Sequence, residues 1–361
     1  MSQKANNESP NGRVERRKSN SRVWKKALIV LACLLGVLVI GGGVYAYNIY
    51  DSVKDAANKM YEPVNSPDAQ KGSENSDSTK GTNGETNQAE HKAVDQGDGP
   101  RPISILLMGV DERTYDVGRS DTLMVLTLNP DTNTMQMISI PRDTRVMIPG
   151  DGPHSGIHKI NAAYAYGGTA LEMKTVESYL DIPLDYYIRI NMEGLVDLVD
   201  AVGGIRVYND ISWHDEGYYK KGYFYHKGWL EMNGAQTLGY VRMRHLDPRG
   251  DLGRNERQRE VIQAIIDKAS SYSSFSQYQD ILDAISKNVR TNLKFDDMKY
   301  IALHYRDARK NLKTYEVKGH GGYINGVWWY IVSDDERKKV HNLIMEQLQV
   351  NEDSESANGA G

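Results

Sequence analysis

Hydrophobic and polar positions divide the chain into stretches of different character. Residues 1–26 are polar and basic, show no helical period, and are expected to form a cytoplasmic tail without a fixed fold. Ala27 to about Tyr50 is almost uncharged. At about 1.5 Å per residue such a run can cross a hydrocarbon core of about 30 Å, so one transmembrane helix is expected over 27–50. Trp24, Lys25 and Lys26 flank one end and Tyr45, Tyr47 and Tyr50 the other. This arrangement predicts a cytoplasmic N-terminus and an extracellular remainder. A cleaved signal peptide fits less well, because the run is long and no strong A-x-A site follows. Residues 51–100, polar above all from about 62, are rich in Ser, Asn, Asp, Gly, Lys and Gln. They read as a flexible extracellular linker, and 351–361 reads as a similar tail.

From Arg101 the pattern becomes that of a packed domain. Ile103–Met108 is a short apolar run stopped by Gly109, as in a buried strand. Leu123–Leu128 and Met135–Ile140 follow, joined by the turn-rich Asn129-Pro130-Asp131-Thr132-Asn133. Thr169–Leu180 has amphipathic-helix spacing and Tyr186–Ile190 reads as a strand. Met192–Val202 reads as a helix closed by Gly203-Gly204, and Ile205–Tyr208 as another strand. The aromatic, glycine-rich stretch Ile211–Trp229 predicts an irregular loop or short hairpin, and Leu238–Met243 resembles a strand. Helices are expected at about 254–270, 277–288 and 296–308, then a strand at Leu312–Val317 and a closing helix near Asp334–Leu348. Strands alternating with helices over 101–350 predict a layered α/β domain with a mixed sheet.

Charge sharpens this picture. The net charge is −4, but residues 1–26 carry +6, which leaves −10 for the rest. An acidic ectodomain argues against non-specific nucleic-acid binding, which depends on neutralising phosphates. Its arginines are therefore a local feature. The lone cysteine, Cys33, lies inside the apolar run, so no intrachain disulfide supports the fold.

Arginines and aspartates recur at the ends of the apolar runs, where ligands of open α/β sheets bind. Asp111 ends the first run and Asp121 directly precedes the second, with Arg119 beside it. If these strands are neighbours their carboxylates converge, and Mg²⁺ takes one or two carboxylates plus phosphate oxygens. Arg142 emerges after Pro141 at the end of Met135–Ile140. Arg242 and Arg244, two apart on the expected strand, would share a face and repel each other unless an anion lies between them. Arg254, Arg257 and Gln258 open an expected helix on the stripe of Val261, Ile262 and Ile265. Cations there oppose the helix dipole but reinforce an anion site; the alternative is pairing with Asp247 and Asp251. Guanidinium forks match phosphate oxygens, so the group reads as a pyrophosphate site with a metal. The chain has no P-loop, no H-E-x-x-H zinc motif and no G-x-S-x-G elbow. Aromatics near Tyr218–Tyr225 suit either sugar stacking or packing under a loop.

The stretches ILLMGVDER, GRSDTLMVLTLNP, MISIPRDTRV, HKINAAYAYGG, LVDLVDAVGGIRV and MNGAQTLGYVRMRHLDPRGDLGRNERQREVI lie in order over about 101–268. Together they resemble the LytR-CpsA-Psr family of membrane-anchored cell-wall enzymes. The resemblance implies an α/β/α sandwich behind one transmembrane helix. It also implies transfer of a teichoic-acid-type, capsular or related anionic glycopolymer from a polyprenyl-pyrophosphate carrier to peptidoglycan. On this sequence it implies Asp111 and Asp121 as ligands of Mg²⁺ or Mn²⁺. Arg119, Arg142, Arg242, Arg244, Arg254 and Gln258 would hold the pyrophosphate, with Arg257 assisting. Asp121, Arg142 and Arg244 are the residues expected to carry catalysis. The implied partners are the lipid-linked polymer, peptidoglycan and membrane lipid, with no nucleic acid. A polyprenyl-pyrophosphate hydrolase and a non-catalytic wall- or lipid-binding sensor are the alternatives.

Overall fold

The computed structural model describes residues 50–64, 99–112, 118–271 and 275–349. The tail expected over 1–26, the transmembrane helix expected over 27–50 (Tyr50 apart) and the tail expected over 351–361 lie outside them. The chain divides into Met1–Asp51 and Ser52–Gly361, and the second unit is described below. Among the described residues no helix is long and apolar enough to cross a membrane.

A six-stranded mixed sheet forms the centre. Its strands are β1 (Ile103–Val110), β2 (Ser120–Asn129), β3 (Thr134–Ser139), β6 (Tyr186–Asn191), β11 (Val289–Thr291) and β12 (Leu312–Glu316), in the order β11-β6-β1-β2-β3-β12. β1 runs parallel to β6 and antiparallel to β2; β3 runs antiparallel to β2 and parallel to β12. The apolar runs found in the sequence are buried because both sheet faces are covered. Leu106, Met108, Leu123, Val125 and Ile138 pack with α2 (Ala162–Leu180) and α8 (Asp334–Leu348). Ile105, Met124, Leu126, Leu128, Met135 and Met137 face the other way, toward α5 (Asp251–Ser270) and α7 (Phe295–His304). Period-two alternation with apolar residues on both faces is what a doubly covered sheet requires. Leu106 is fully buried, and truncating it to Ala would cost about 2–5 kcal/mol.

Local chemistry fixes the element ends. Asn129 Oδ1 accepts from the amides of Asp131 and Thr132 at 3.0 Å each, which turns β2 into β3. Asn191 Oδ1 accepts from Gly194 N at 2.8 Å and starts α3 (Met192–Ala201). Gly203 and Gly204, with φ of 70° and 83°, end it. The expected start of a helix at Thr169 marks the second segment of α2, because Gly167 and Gly168 interrupt its helical dihedrals.

Three expectations need correction. Leu238–Met243 is not a strand: α4 covers Gly234–Arg242. Val241 and Met243 mimic strand alternation, but Asn233 and Gln236 form a capping box, with side chain to amide bonds of 2.9 and 3.0 Å. The first residues of the expected linker are helical, 52–60 (α1), and its stretch 65–98 lies outside the described residues. Val53, Ala56, Ala57 and Met60 are buried at i, i+3, i+4 and i+7 spacing. Glu62 follows as a partner of Arg189 at 3.2 Å. The strand expected at Ile205–Tyr208 is β7 (Ile205–Asn209), paired with β10 (Gly228–Met232), while the ribbons β4–β5 (Arg145–Ile148, Gly156–Lys159) and β13–β14 (His320–Ile324, Val327–Ile331) are absent from the expected list. The stretch Ile211–Trp229 holds only the two-residue strands β8 (Trp213–His214) and β9 (Phe224–Tyr225) before β10 begins.

Candidate functional site

The site lies where β1 and β2 meet the start of α5. In the β1–β2 register Gly109 faces Thr122 and Val110 faces Ser120, so Asp121 is the extra residue of a β-bulge. A bulge re-aims a side chain at a sheet end, which is a common device beside active sites. A Cβ on Gly109 would come within 2.9 Å of Thr122 Cβ, so the approach of the strands there needs glycine. Asp111 follows Val110 on the neighbouring strand, and its amide donates to Arg119 O at 3.2 Å. The two carboxylates therefore emerge from adjacent strands at one end of the sheet.

Arg142 reaches the same place from the end of β3. Pro141 stops the strand, and its carbonyl accepts from Thr144 N at 3.0 Å, which turns the chain. Arg142 Nη1 lies 2.6 Å from Asp121 Oδ1. Its Nη2 lies 3.8 Å from Asp251 Oδ1, and Arg244 Nη1 lies 3.9 Å from the same oxygen. Arg254 Nη2 donates to Asp251 Oδ2 at 2.9 Å and reaches Asp121 O at 3.5 Å. Arg242 Nη2 is 4.0 Å from Asp111 Oδ2, and its guanidinium lies 5.0 Å from the centre of the Tyr218 ring. Arg119 is exposed at the rim.

Charge in this cluster is not balanced. Arg119, Arg142, Arg242, Arg244 and Arg254 meet Asp111, Asp121 and Asp251. Burial lowers the pKa of the Arg254 guanidinium; Asp251 opposes that, and the neighbouring Arg142 and Arg244 push it lower still. Arg254 Nε and Gln258 Oε1 are buried without a hydrogen-bond partner among the described residues. Buried polar atoms of a native fold ordinarily have partners. An anion set among these groups would supply both the missing charge and the missing acceptor for Arg254.

Two cavities share this cluster. A groove of 780 Å³ runs between the sheet and the helices α3, α5 and α7. Its walls include Ile105, Leu107, Leu126, Ile188, Leu198, Ile262, Ile265 and Ile301, and its polar end carries Asp121, Arg142, Arg242, Arg244, Arg254 and Gln258. A second cavity of 580 Å³ is polar, lined by Arg119, Asp121, Arg142, Asp143, Lys159, Asn161, Arg244, Tyr323 and Trp328. Asp121, Arg142 and Arg244 line both. The arrangement suits a molecule with a long apolar tail, an anionic junction and a polar head.

Arg257 is not brought to this group. It is buried, donates to Asp247 Oδ2 at 2.6 Å and to Met243 O at 2.5 Å, and lies 5.4 Å from the Trp213 ring. It lines neither cavity. The helical spacing that puts Arg254 and Gln258 on one stripe turns Arg257 toward the loop after α4. Burial pushes the Asp247 carboxyl up, but hydrogen bonds from Arg249 and Arg257 outweigh it and hold the group at about 2. Arg257 and Asp247 thus anchor the segment that presents Arg242 and Arg244. The aromatic stretch packs likewise: Trp213, Tyr225 and Tyr240 stack under the loop, and Tyr218 alone lines the groove. Asp251, which joins three site arginines, stands in the sequence only as a rival ion-pair partner. Its place in the first turn of α5, four residues before Asn255 and three before Arg254, was the available signal.

The LytR_cpsA_psr family profile matches residues 68–346. The polyisoprenyl-teichoic acid–peptidoglycan teichoic acid transferase TagU of Bacillus cereus (strain AH820) is 42% identical over 327 residues, which are 90% of this chain and 99% of the relative. The crystal structure of B. subtilis TagU is 39% identical with a TM-score of 0.56 and covers 70% of this chain and 98% of that one. A structure of TagT bound to LIIa-WTA is 32% identical with a TM-score of 0.59, covering 69% of this chain and 92% of that one.

Proposed function

The chain belongs to the LytR_cpsA_psr family, and we propose that it transfers an anionic glycopolymer from a polyprenyl-pyrophosphate carrier to a hydroxyl of peptidoglycan, releasing polyprenyl phosphate. The observation that carries this reading is the continuity of an apolar groove of 780 Å³ with a cluster of arginines. The polyprenyl chain occupies the groove. The pyrophosphate lies among Arg119, Arg142, Arg242, Arg244 and Arg254, with Gln258 beside it, and the polymer extends into the polar cavity. The names of the relatives support the same cargo, a teichoic acid, and the same acceptor.

In the reaction the acceptor oxygen bonds to the phosphorus that carries the polymer. The bridging P–O bond breaks, its electron pair stays with polyprenyl phosphate, and the hydroxyl proton passes to the medium. Negative charge shifts onto the leaving phosphate. Arg142, Arg244 and Arg254 are already in position to receive it, and such preplaced charge is usually the largest catalytic contribution. Asp251 and Asp121 pair with these forks and orient them.

Asp111 and Asp121, on adjacent strands, are the two carboxylates that would hold a cation; here Asp121 pairs with Arg142 at 2.6 Å and Asp111 lies 4.0 Å from Arg242. No group of three or more His, Cys, Asp or Glu side chains suited to a metal occurs among the described residues. Two carboxylates would suit Mg²⁺, or Mn²⁺, completed by phosphate oxygens and water. When bound, the cation would neutralise charge on the pyrophosphate. With the anchor expected over 27–50, the domain would work at the outer face of the cell membrane, where both substrates meet.

The test incubates the purified protein with a polyprenyl-pyrophosphate-linked teichoic acid, with and without peptidoglycan, and with or without a chelator. Polymer bound to peptidoglycan through a phosphodiester, matched by released polyprenyl phosphate and restored by Mg²⁺ after chelation, is expected. Equal release of polyprenyl phosphate without peptidoglycan would identify a hydrolase instead, and tight lipid binding with no turnover would identify a sensor.

A further inference from the structure

The β13–β14 hairpin places Tyr323 and Trp328 over the polar cavity, opposite one another in register. Their rings meet edge to face at 5.2 Å between centroids. Both are exposed, Tyr323 at 74% and Trp328 at 44%, so neither serves the core. The hairpin itself is fixed. Asn325 and Gly326, with φ of 50° and 78°, form the tight turn. The Trp328 ring lies across Gly321, where a Cβ would overlap it, so its orientation is set in advance. Tyr330 N donates to Asp143 O at 2.9 Å, which ties the hairpin to the residue after Arg142. Across the cavity, Asn161 is 4% exposed and its Oδ1 has no hydrogen-bond partner among the described residues. This buried acceptor belongs to a residue that borders a pocket with aromatic faces and arginines.

We infer that this cavity is a sugar subsite in which a pyranose ring stacks on Trp328 and Tyr323 and gives a hydroxyl hydrogen to Asn161 Oδ1. A pyranose has an apolar C–H face and a polar rim, and the cavity presents both kinds of partner. The inference rests on the reading of Arg142 and Asp121 as the diphosphate site only for what it is next to. The sugar is either the first residue of the lipid-linked polymer or a residue of the acceptor glycan, since both must approach the phosphorus.

The test compares the full-length wild type with Trp328→Ala, Trp328→Phe and Tyr323→Ala in binding titrations. The probes are oligosaccharides of N-acetylglucosamine and N-acetylmuramic acid, a polyprenyl-pyrophosphate-linked disaccharide, and sugar-free polyprenyl pyrophosphate. Removing one stacked face should weaken sugar binding about tenfold, with Trp328→Phe close to wild type and the sugar-free lipid unaffected. Loss confined to the oligosaccharide assigns the acceptor; loss confined to the lipid-linked disaccharide assigns the donor. Unchanged binding of both sugar probes, or absence of sugar binding by the wild type, overturns the inference, as does equal loss of the sugar-free lipid. A wild type that binds the oligosaccharide through Trp328 but ignores polyprenyl pyrophosphate would sink the diphosphate reading and leave the sugar subsite standing.

Discussion

Arg142 grips Asp121, Nη1 to Oδ1 at 2.6 Å, and both residues line the apolar groove and the polar cavity alike. Burial lowers the pKa of this guanidinium, yet Asp121 and Asp251 outweigh it and leave the pKa above the ordinary arginine value. The fork is thus charged at any working pH. Arg142→Ala should keep the fold and lose polymer transfer by about a hundredfold or more. Arg142→Lys should recover little, because a point charge does not reproduce a bidentate fork. Initial transfer rates checked against thermal unfolding of the same variants measure this.

Arg257 predicts the opposite separation. Its partner Asp247 is wholly buried, and the pair sits 2.6 Å apart. Arg257→Ala leaves Asp247 with Arg249 as its remaining cation, so the cost falls below the about 3–5 kcal/mol of a buried charge left wholly unpaired. Arg257→Ala should therefore lower stability in urea unfolding. At temperatures where it stays folded, its affinity for polyprenyl pyrophosphate should fall far less than that of Arg254→Ala.

Glu172 gives the domain a pH dependence. It is fully buried on α2, its Oε1 accepts from Ser120 Oγ at 3.0 Å, and Ser120 directly precedes the bulged Asp121. Burial raises its pKa from 4.5 to about 8, with the bonds from Ser120 and the Tyr164 backbone opposing. The folded state thus holds a proton that the unfolded state releases above about 4.5. Stability is full below that value and falls as pH rises toward 8, by at most about 1.4 kcal/mol per unit. Glu172→Gln should flatten the fall between pH 5.5 and 7.5 in urea titrations. A wild-type stability that rises over this window through Glu172 would contradict the assignment.

Ile188 lines the groove on β6, opposite Leu107 in the sheet register. Ile188→Glu places a carboxylate against the path of the lipid tail, and burying it beside a hydrocarbon chain is costly. Binding of long-chain polyprenyl pyrophosphate should weaken by about tenfold or more, while a short-chain analogue should bind nearly as before. Calorimetric titration of the two ligands separates tail from head.

Much of this was legible in the chain, for reasons that differ by element. The strands β1, β2 and β3 announce themselves because a sheet covered on both faces leaves uninterrupted apolar runs, and Asp121 and Arg142 stand out at their ends. Helix α4 did not, since Val241 and Met243 alternate as in a strand, although Asn233 and Gln236 carried the capping signal. The β13–β14 hairpin also had its mark, Asn325-Gly326 between aromatic and apolar residues. Arg257 shares a sequence neighbourhood with Arg254, and only the rotation of α5 tells them apart. The groove could not be read at all, because Ile188 or Ile262 facing a cavity has the same local pattern as one facing a packed core.

The most direct test of a groove that holds an isoprenoid diphosphate is mass spectrometry of the lipid retained by the purified protein. A polyprenyl phosphate or pyrophosphate is predicted from the wild type, depleted in Ile188→Glu and in Arg142→Ala. Retention of ordinary membrane phospholipid alone, unchanged by either substitution, would contradict the account.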